Sequence, residues 1–156
     1  MSKKYRIDII SDTHGWLSAE LKRELAGADL IVHAGDICSV ANYNELLKIA
    51  PVKACLGNND FPGDFGPDVT RFTSFVFAGL RWQVCHYQER LVKGASDIAV
   101  CGHTHRPFID QEGNKILTIN PGSPTYPRSF VIGASMGRIW IQDKKIVDCQ
   151  IIQLDN

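Results

Sequence analysis

Five times along the chain a short apolar run rich in β-branched residues stops abruptly at polar residues, the pattern of buried parallel strands. The runs are Tyr5 to Ile10 before Ser11, Leu30 to Val32 before His33, Val52 to Leu56 before Gly57, Trp82 to Cys85 before His86, and Ile98 to Cys101 before Gly102. Helical spacings fill the gaps between the first three. Leu17, Leu21 and Leu25 form one, and Leu46, Leu47 and Ile49 form the other, which Pro51 ends. Strands and helices alternating in this way predict βαβ units. Their parallel strands carry their C-terminal ends to one edge of a sheet, where ligands bind.

From Phe72 onward the apolar stretches are separated by turn signals at Ala78-Gly79, Glu112-Gly113-Asn114, Met136-Gly137 and Asp143-Lys144, which predict antiparallel hairpins. Ile116 to Ile119, Phe130 to Ala134, Arg138 to Ile141 and Ile146 to Leu154 are expected to build a second sheet. The expected fold is α/β, a two-sheet β-sandwich flanked by helices. A chain of 156 residues with no linker, low-complexity tract or solenoid repeat reads as one domain over 1–156.

Composition narrows the function classes. Hydrophobic residues at 44% and charged residues at 22% describe an ordinary globular protein. Lys plus Arg and Asp plus Glu both total 17, so no net charge draws the chain to extended nucleic acid or anionic lipid. The apolar run after Lys3 and Lys4 is broken by Asp8, too early for a leader or a membrane span, so a cytoplasmic location is expected. Five cysteines, Cys38, Cys55, Cys85, Cys101 and Cys149, never form a CxxC pair and read as reduced, mostly buried thiols.

The chemistry sits at the strand ends. Asp12 and His14, two apart in extended backbone, point to the same side. Gly35 lets the chain bend so that Asp36 projects beyond the sheet edge, and Gly57-Asn58 repeats the arrangement with an amide oxygen. His86, His103 and His105 add three imidazoles. Such a mixture of imidazole, carboxylate and amide suits divalent Mn, Fe, Co, Ni or Zn. Seven donors exceed the need of one ion. With an aspartate bridging they match two ions, the arrangement that attacks phosphorus esters with a shared hydroxide.

The ordered set Asp12-Thr13-His14-Gly15, Gly35-Asp36, Gly57 to Asp60, His86 and Gly102 to His105 resembles the calcineurin-like metallophosphoesterases, particularly their small single-domain phosphodiesterase branch. Asn120 to Ser123 followed by Pro127-Arg128 strengthens the match, which covers nearly the whole chain. The resemblance implies a four-layer αββα fold. It assigns Asp12, His14 and His105 to one ion, Asn58, His86 and His103 to the other, and Asp36 to both, with Asp36, Asn58 and His103 central to catalysis. It also implies manganese as the first candidate metal, a small-molecule phosphodiester as substrate, and in-line attack of the bridging hydroxide. A homo-oligomer is compatible with it. The rival it brings is a non-catalytic protein-binding scaffold, as in the retromer subunit of this fold.

Two positions depart from the family pattern. Asn59 stands where protein phosphatases of the superfamily have a proton-donating His, so substrates with good leaving groups are expected. His33 is the one nearby imidazole left to replace it, and it reads as a packed residue behind the ligands. His86-Tyr87-Gln88 replaces the branch's usual His-Gly-His and alters the pocket wall. Asn59 and Arg128 are candidate substrate contacts, the guanidinium offering paired donors to a phosphoryl oxygen, while Arg106 reads as a surface charge. Trp16, Phe61, Phe65 and Tyr126 are candidate walls for an aromatic or nucleoside group.

Overall fold

The computed structural model describes residues 2–114 and 116–155. The βαβ reading of the N-terminal third holds. Strand β1 (Lys4–Ile10), helix α1 (Ala19–Leu25), strand β2 (Leu30–His33), helix α2 (Val40–Ile49) and strand β3 (Val52–Ala54) follow in order, with β1, β2 and β3 parallel. Ser18 and Ser39 start the two helices by accepting from the Leu21 and Asn42 amides, which satisfies one orphan donor in each first turn. Strands β4 (Phe72–Phe77) and β5 (Leu80–Cys85) form the hairpin announced by Ala78-Gly79. After them come a 3₁₀ turn (Gln88–Arg90), β6 (Ile98–Val100), β7 (Phe108–Glu112), β8 (Ile116–Asn120), β9 (Ser135–Gln142) and β10 (Lys145–Gln153).

Two mixed five-stranded sheets result, ordered β10-β9-β1-β2-β3 and β4-β5-β6-β8-β7. Three expectations for the C-terminal half change. First, Arg138 to Ile141 and Ile146 to Leu154 join the first sheet rather than the second, as the β9–β10 hairpin. The βαβ units leave one edge of β1 with unpaired backbone groups, and β9 closes it in antiparallel register. Second, Met136-Gly137 is no turn but lies within β9. A Cβ at Gly137 would stand 2.7 Å from Ile119 Cδ1, so glycine is there to let the two sheets approach. Third, Phe130 to Ala134 is not a strand, because Ser129 folds the segment into a local turn by accepting from the Ile132 and Gly133 amides.

The shared core lies between the sheets, where Ile7, Ile9 and Val32 of the first meet Trp82, Val84, Val100 and Ile119 of the second. The outer face of the first sheet, with Ile10, Ile31 and Met136, is covered by Leu21 and Leu25 of α1 and Leu46 of α2. Among the described residues both α-helices sit on this side. On the second sheet the 3₁₀ turn and its loop are held by the Gln83 amide, which donates to Val92 O and Ser96 Oγ. No helix among the described residues is long and apolar enough to cross a membrane.

Asp8, the charge that interrupts the first apolar run, faces the helix layer, and Arg6 and Arg138 both donate to its carboxylate, at 2.7 and 2.8 Å for the shortest contacts. The same guanidinium groups donate to the Glu24 and Ala26 carbonyls at the end of α1. The network binds the helix C-terminus, which carries partial negative charge, to the sheet.

Candidate metal centre

The ends of β1, β2, β3, β5 and β6 meet at one end of the seam between the sheets. Pairing of β1 with β2 continues past both strands, with the Asp12, His14 and Gly15 amides donating to Gly35, Asp36 and Ile37 carbonyls at 2.9 to 3.0 Å. This ties the Asp12 and Asp36 loops together. The other sheet is fastened across the seam by the His103 amide, which donates to Asp12 Oδ2 at 2.9 Å, and by His86 Nδ1–H, which donates to Ala34 O at 2.7 Å. A Cβ at Gly102 would fall 2.0 Å from Ser11 Oγ, so only glycine allows this crossing.

All seven predicted donors come together. His105 Nε2 lies 3.3 Å from Asp12 Oδ1, and His14 Nε2 lies 3.6 Å from Asp36 Oδ2. His86 Nε2 stands 3.7 Å from Asp12 Oδ1 and 3.5 Å from Asp36 Oδ2. Asn58 Oδ1 is 2.9 Å from His86 Nε2 and 3.2 Å from His103 Nδ1. Two overlapping groups of possible ligands follow, Asp12 with His14 and His105, and Asp12 with Asp36 and His86. Asp12 belongs to both groups and Asp36 to one, although Asp36 Oδ2 also reaches within 3.6 Å of His14 Nε2.

The backbone is strained to achieve this. Asp12, His14, Asp36, His103 and His105 all adopt left-handed conformations, with φ between 51° and 70°. Each such non-glycine residue costs about 1 kcal/mol or more, a cost that native structures concentrate at functional sites.

The electrostatics are unusual in one respect. His86 Nδ1 and His105 Nδ1 must both carry their protons, since each donates to a carbonyl oxygen, Ala34 O at 2.7 Å and Tyr126 O at 2.6 Å. In the neutral rings the Nε2 lone pairs are therefore aimed at carboxylate oxygens, acceptor against acceptor. Asp12 Oδ1 is buried and has no hydrogen-bond partner. An array of this kind is stable only when positive charge lies within it, as a cation or as added protons. The ionisation tendencies agree. The Asp12 carboxylate, 3.3 Å from its Nε2, holds His105 above the ordinary histidine range against burial. Burial works against the charge on His86, yet Asp36 and Asp12 outweigh it and raise that ring too. Asp36 is held well below the usual carboxylate range, its burial overcome by His86 and by the Asn59 backbone and side-chain donors.

The remaining predicted residues separate clearly. Asn59 lines the cavity in front of the donors, about 430 Å³ in volume, but its side-chain amide also donates to Asp36 Oδ2 at 3.0 Å. Arg128 and Tyr126 line the same cavity, whereas Arg106 is exposed and takes no part in its wall. His33 is fully buried behind the site: it accepts from the Gly35 amide through Nδ1, which leaves Nε2–H to donate to Thr13 Oγ1 at 2.9 Å. Burial pushes its pKa down to about 4. Phe65 is a packing residue, buried against Tyr43. Of the cysteines, Cys55, Cys85 and Cys101 are buried thiols and Cys149 is half-buried, while Cys38 is exposed beside His14.

Two supports of the site have no counterpart in the sequence reading. The buried Asp60 carboxylate accepts from the Ile37, Cys38 and Gly57 amides and so locks the Asp36 loop to the Asn58 loop. Ser123 Oγ donates to Asp12 O and accepts from the Thr125 and Tyr126 amides, which sets the carbonyl that orients His105. The signal was present in both cases, since Asp60 and Ser123 lie inside the quoted motifs, but an acceptor of backbone amides has no spacing rule of its own.

Comparison with known proteins agrees with this geometry. A probable metallophosphoesterase of Methanothermobacter thermautotrophicus is 32% identical, over 94% of this chain and 91% of its own. One of Methanocaldococcus jannaschii is 31% identical, over 88% of this chain and 77% of its own. Among solved structures, a conserved protein of Streptococcus pneumoniae superposes with a TM-score of 0.71 at 22% identity, over 97% of this chain and 90% of that one. Vacuolar Protein Sorting 29 of Cryptosporidium parvum gives 0.73 at 18%, over 96% of this chain and 97% of that one. At these identities the last two speak for the fold alone. The model of the calcineurin-like phosphoesterase superfamily domain matches residues 5–143, from the first strand through the β9–β10 turn, and the chain belongs to that superfamily.

Proposed function

We propose that this protein is a metal-dependent phosphodiesterase that hydrolyses a small phosphodiester through two divalent ions, manganese foremost, with nickel, iron, cobalt and zinc as further candidates. The observation that carries this reading is the array of imidazole lone pairs and carboxylate oxygens facing one another around the unpartnered Asp12 Oδ1. Asp12, His14 and His105 would hold one ion, Asn58, His86 and His103 the other, and Asp36 both. Bound there, the ions would lower the pKa of water toward neutrality and offset charge on the phosphoryl oxygens.

The chain's own residues do the rest. Asp60 and Asn59 fix Asp36, and the carbonyls of Ala34 and Tyr126 fix two imidazole tautomers. Arg128, on the cavity wall, is the donor for a non-bridging phosphoryl oxygen. Among the described lining residues no imidazole is free of the ligand set to protonate a leaving group, since Asn59 is an amide and His33 is walled off, and the Tyr126 phenol is a weak acid. Esters with acidic leaving groups are therefore the favoured substrates.

The test is turnover by purified, manganese-reconstituted protein on bis(4-nitrophenyl) phosphate, 4-nitrophenyl phosphate and cyclic nucleotides, alongside metal content by mass spectrometry. Two bound ions with diester turnover above monoester turnover is the expected result. Two ions with no hydrolysis of any ester would instead support the protein-binding scaffold.

A further inference from the structure

Four imidazoles belong to the donor set, and they are not held alike. The carbonyls of Ala34 and Tyr126 fix His86 and His105, and His14 has the Cys38 thiol 4.0 Å from its Nδ1. His103 is exposed, and among the described residues the one polar partner of its ring is Asn58 Oδ1, 3.2 Å from Nδ1 and itself a member of the donor set. In the two-ion reading both of these atoms would bind the same ion, so their contact cannot be what aims the ring. An imidazole turns about two side-chain torsions, and its lone pair is aimed only when something outside the ligand set stops that rotation.

For His103 the stop is aromatic. The centroid of the Tyr87 ring lies 4.7 Å from that of His103 and 5.4 Å from that of His86, with interplanar angles of 61° and 72°. The two imidazoles stand 5.1 Å apart, so the three rings are in mutual contact. Such separations and tilts are those that aromatic rings prefer. Tyr87 is no part of the cavity wall, contrary to the expectation for this position, and neither are the exposed Trp16 and Phe61; Tyr126 is the one aromatic ring there besides the imidazoles. Tyr87 is itself held. Its carbonyl accepts from the Arg90 amide at 3.1 Å in the 3₁₀ turn, and the Arg90 guanidinium carbon sits over its ring, 4.8 Å from the centroid. Past the turn the buried Gln83 side chain grips Val92, donating to its carbonyl at 2.8 Å and accepting from its amide at 2.9 Å.

We infer, on the two-ion reading above, that Tyr87 is a positioning residue: it orients His103 and thereby sets the affinity of the half of the centre built from Asn58, His86 and His103. It acts through ring packing, so the phenol oxygen is dispensable and a phenylalanine serves as well. A residue without a ring leaves His103 free to rotate away from Asn58 and His86.

The experiment is calorimetric titration of the metal-free protein with manganese chloride, wild type beside Tyr87→Ala and Tyr87→Phe. Wild type is expected to take up two ions. In Tyr87→Ala one of the two should bind about tenfold more weakly, the usual scale for losing a support behind a ligand, while the other keeps its wild-type affinity. Tyr87→Phe should match wild type at both, a rescue that general loosening of the fold would not give. Unchanged affinities in Tyr87→Ala, equal weakening of both ions, or a Tyr87→Phe protein as impaired as Tyr87→Ala overturns the inference and leaves the two-ion reading intact. If wild type takes up fewer than two ions, that reading fails, and NMR of the metal-free proteins decides the role of Tyr87. A nuclear Overhauser contact between the His86 and His103 rings that is present in wild type and Tyr87→Phe but lost in Tyr87→Ala supports positioning. Its persistence in Tyr87→Ala, or its absence from wild type, overturns it.

Discussion

Two charge clusters form around buried aspartates four residues apart, Asp8 within β1 and Asp12 just past its end, and they are built on opposite principles. Around Asp8 each carboxylate oxygen meets a guanidinium donor, from Arg6 on one side and Arg138 on the other, and the spare donors go to helix carbonyls. Around Asp12 the neighbours are imidazole nitrogens whose protons are spent elsewhere, and one oxygen has no partner at all. The first cluster is complete within the chain. The second is completed only by added positive charge. A buried ionic cluster that closes on itself is a structural device, whereas one that does not is a binding site.

That contrast can be broken at four points. The largest effect is expected from Asp36→Asn, which removes the shared charge from the incomplete cluster. Diester hydrolysis should fall roughly a thousandfold, about 4 kcal/mol in transition-state stabilisation, with circular dichroism unchanged. Retained activity would show that the shared carboxylate is not part of the chemistry. Next, Asp8→Ala takes the shared carboxylate from two half-buried guanidinium groups and should cost about 3 kcal/mol in urea denaturation, yet leave the number of bound ions as in wild type. Loss of ions in that variant would mean the two clusters are not independent. Third, manganese at a hundred times its dissociation constant should stabilise the wild type by about 2.7 kcal/mol, and Asp12→Asn should abolish most of that gain in a thermal shift.

The smallest effect concerns pH. His33 is neutral in the fold with its pKa near 4 but titrates near 6.5 when unfolded, so the unfolded state binds the extra proton across that window. Its contribution is present above pH 6.5 and is lost as pH falls toward 4. Wild type should therefore gain about 1 kcal/mol on His33→Gln between pH 5.5 and 6.5. Parallel curves for the two proteins would show that His33 is not held neutral.

Much of this was legible in the chain. The abrupt endings of five apolar runs located all seven donors, because a strand that is buried on both faces must become polar where it leaves the sheet. The two helices were legible as well, from the spacing of Leu17, Leu21 and Leu25 and of Leu46, Leu47 and Ile49, although their Ser18 and Ser39 caps were not read. Pairing of strands distant in sequence was not. Nothing local in Ser135–Gln142 says that it will lie beside β1, and the glycine that looks like a turn is instead a point of contact between sheets. Phe130 to Ala134 has the composition of a strand but no neighbour to pair with.

The sequence by itself determined which side chains are offered and at which strand ends, since hydrophobic period and ligand chemistry are local properties. Only the tertiary structure decided how they face one another. The carbonyls that fix the His86 and His105 tautomers and the Asp60 clasp on the Asp36 loop join segments 21 to 52 residues apart. The direction of a lone pair depends on what holds the rest of the ring, and for His86 and His105 that partner is on another strand's loop.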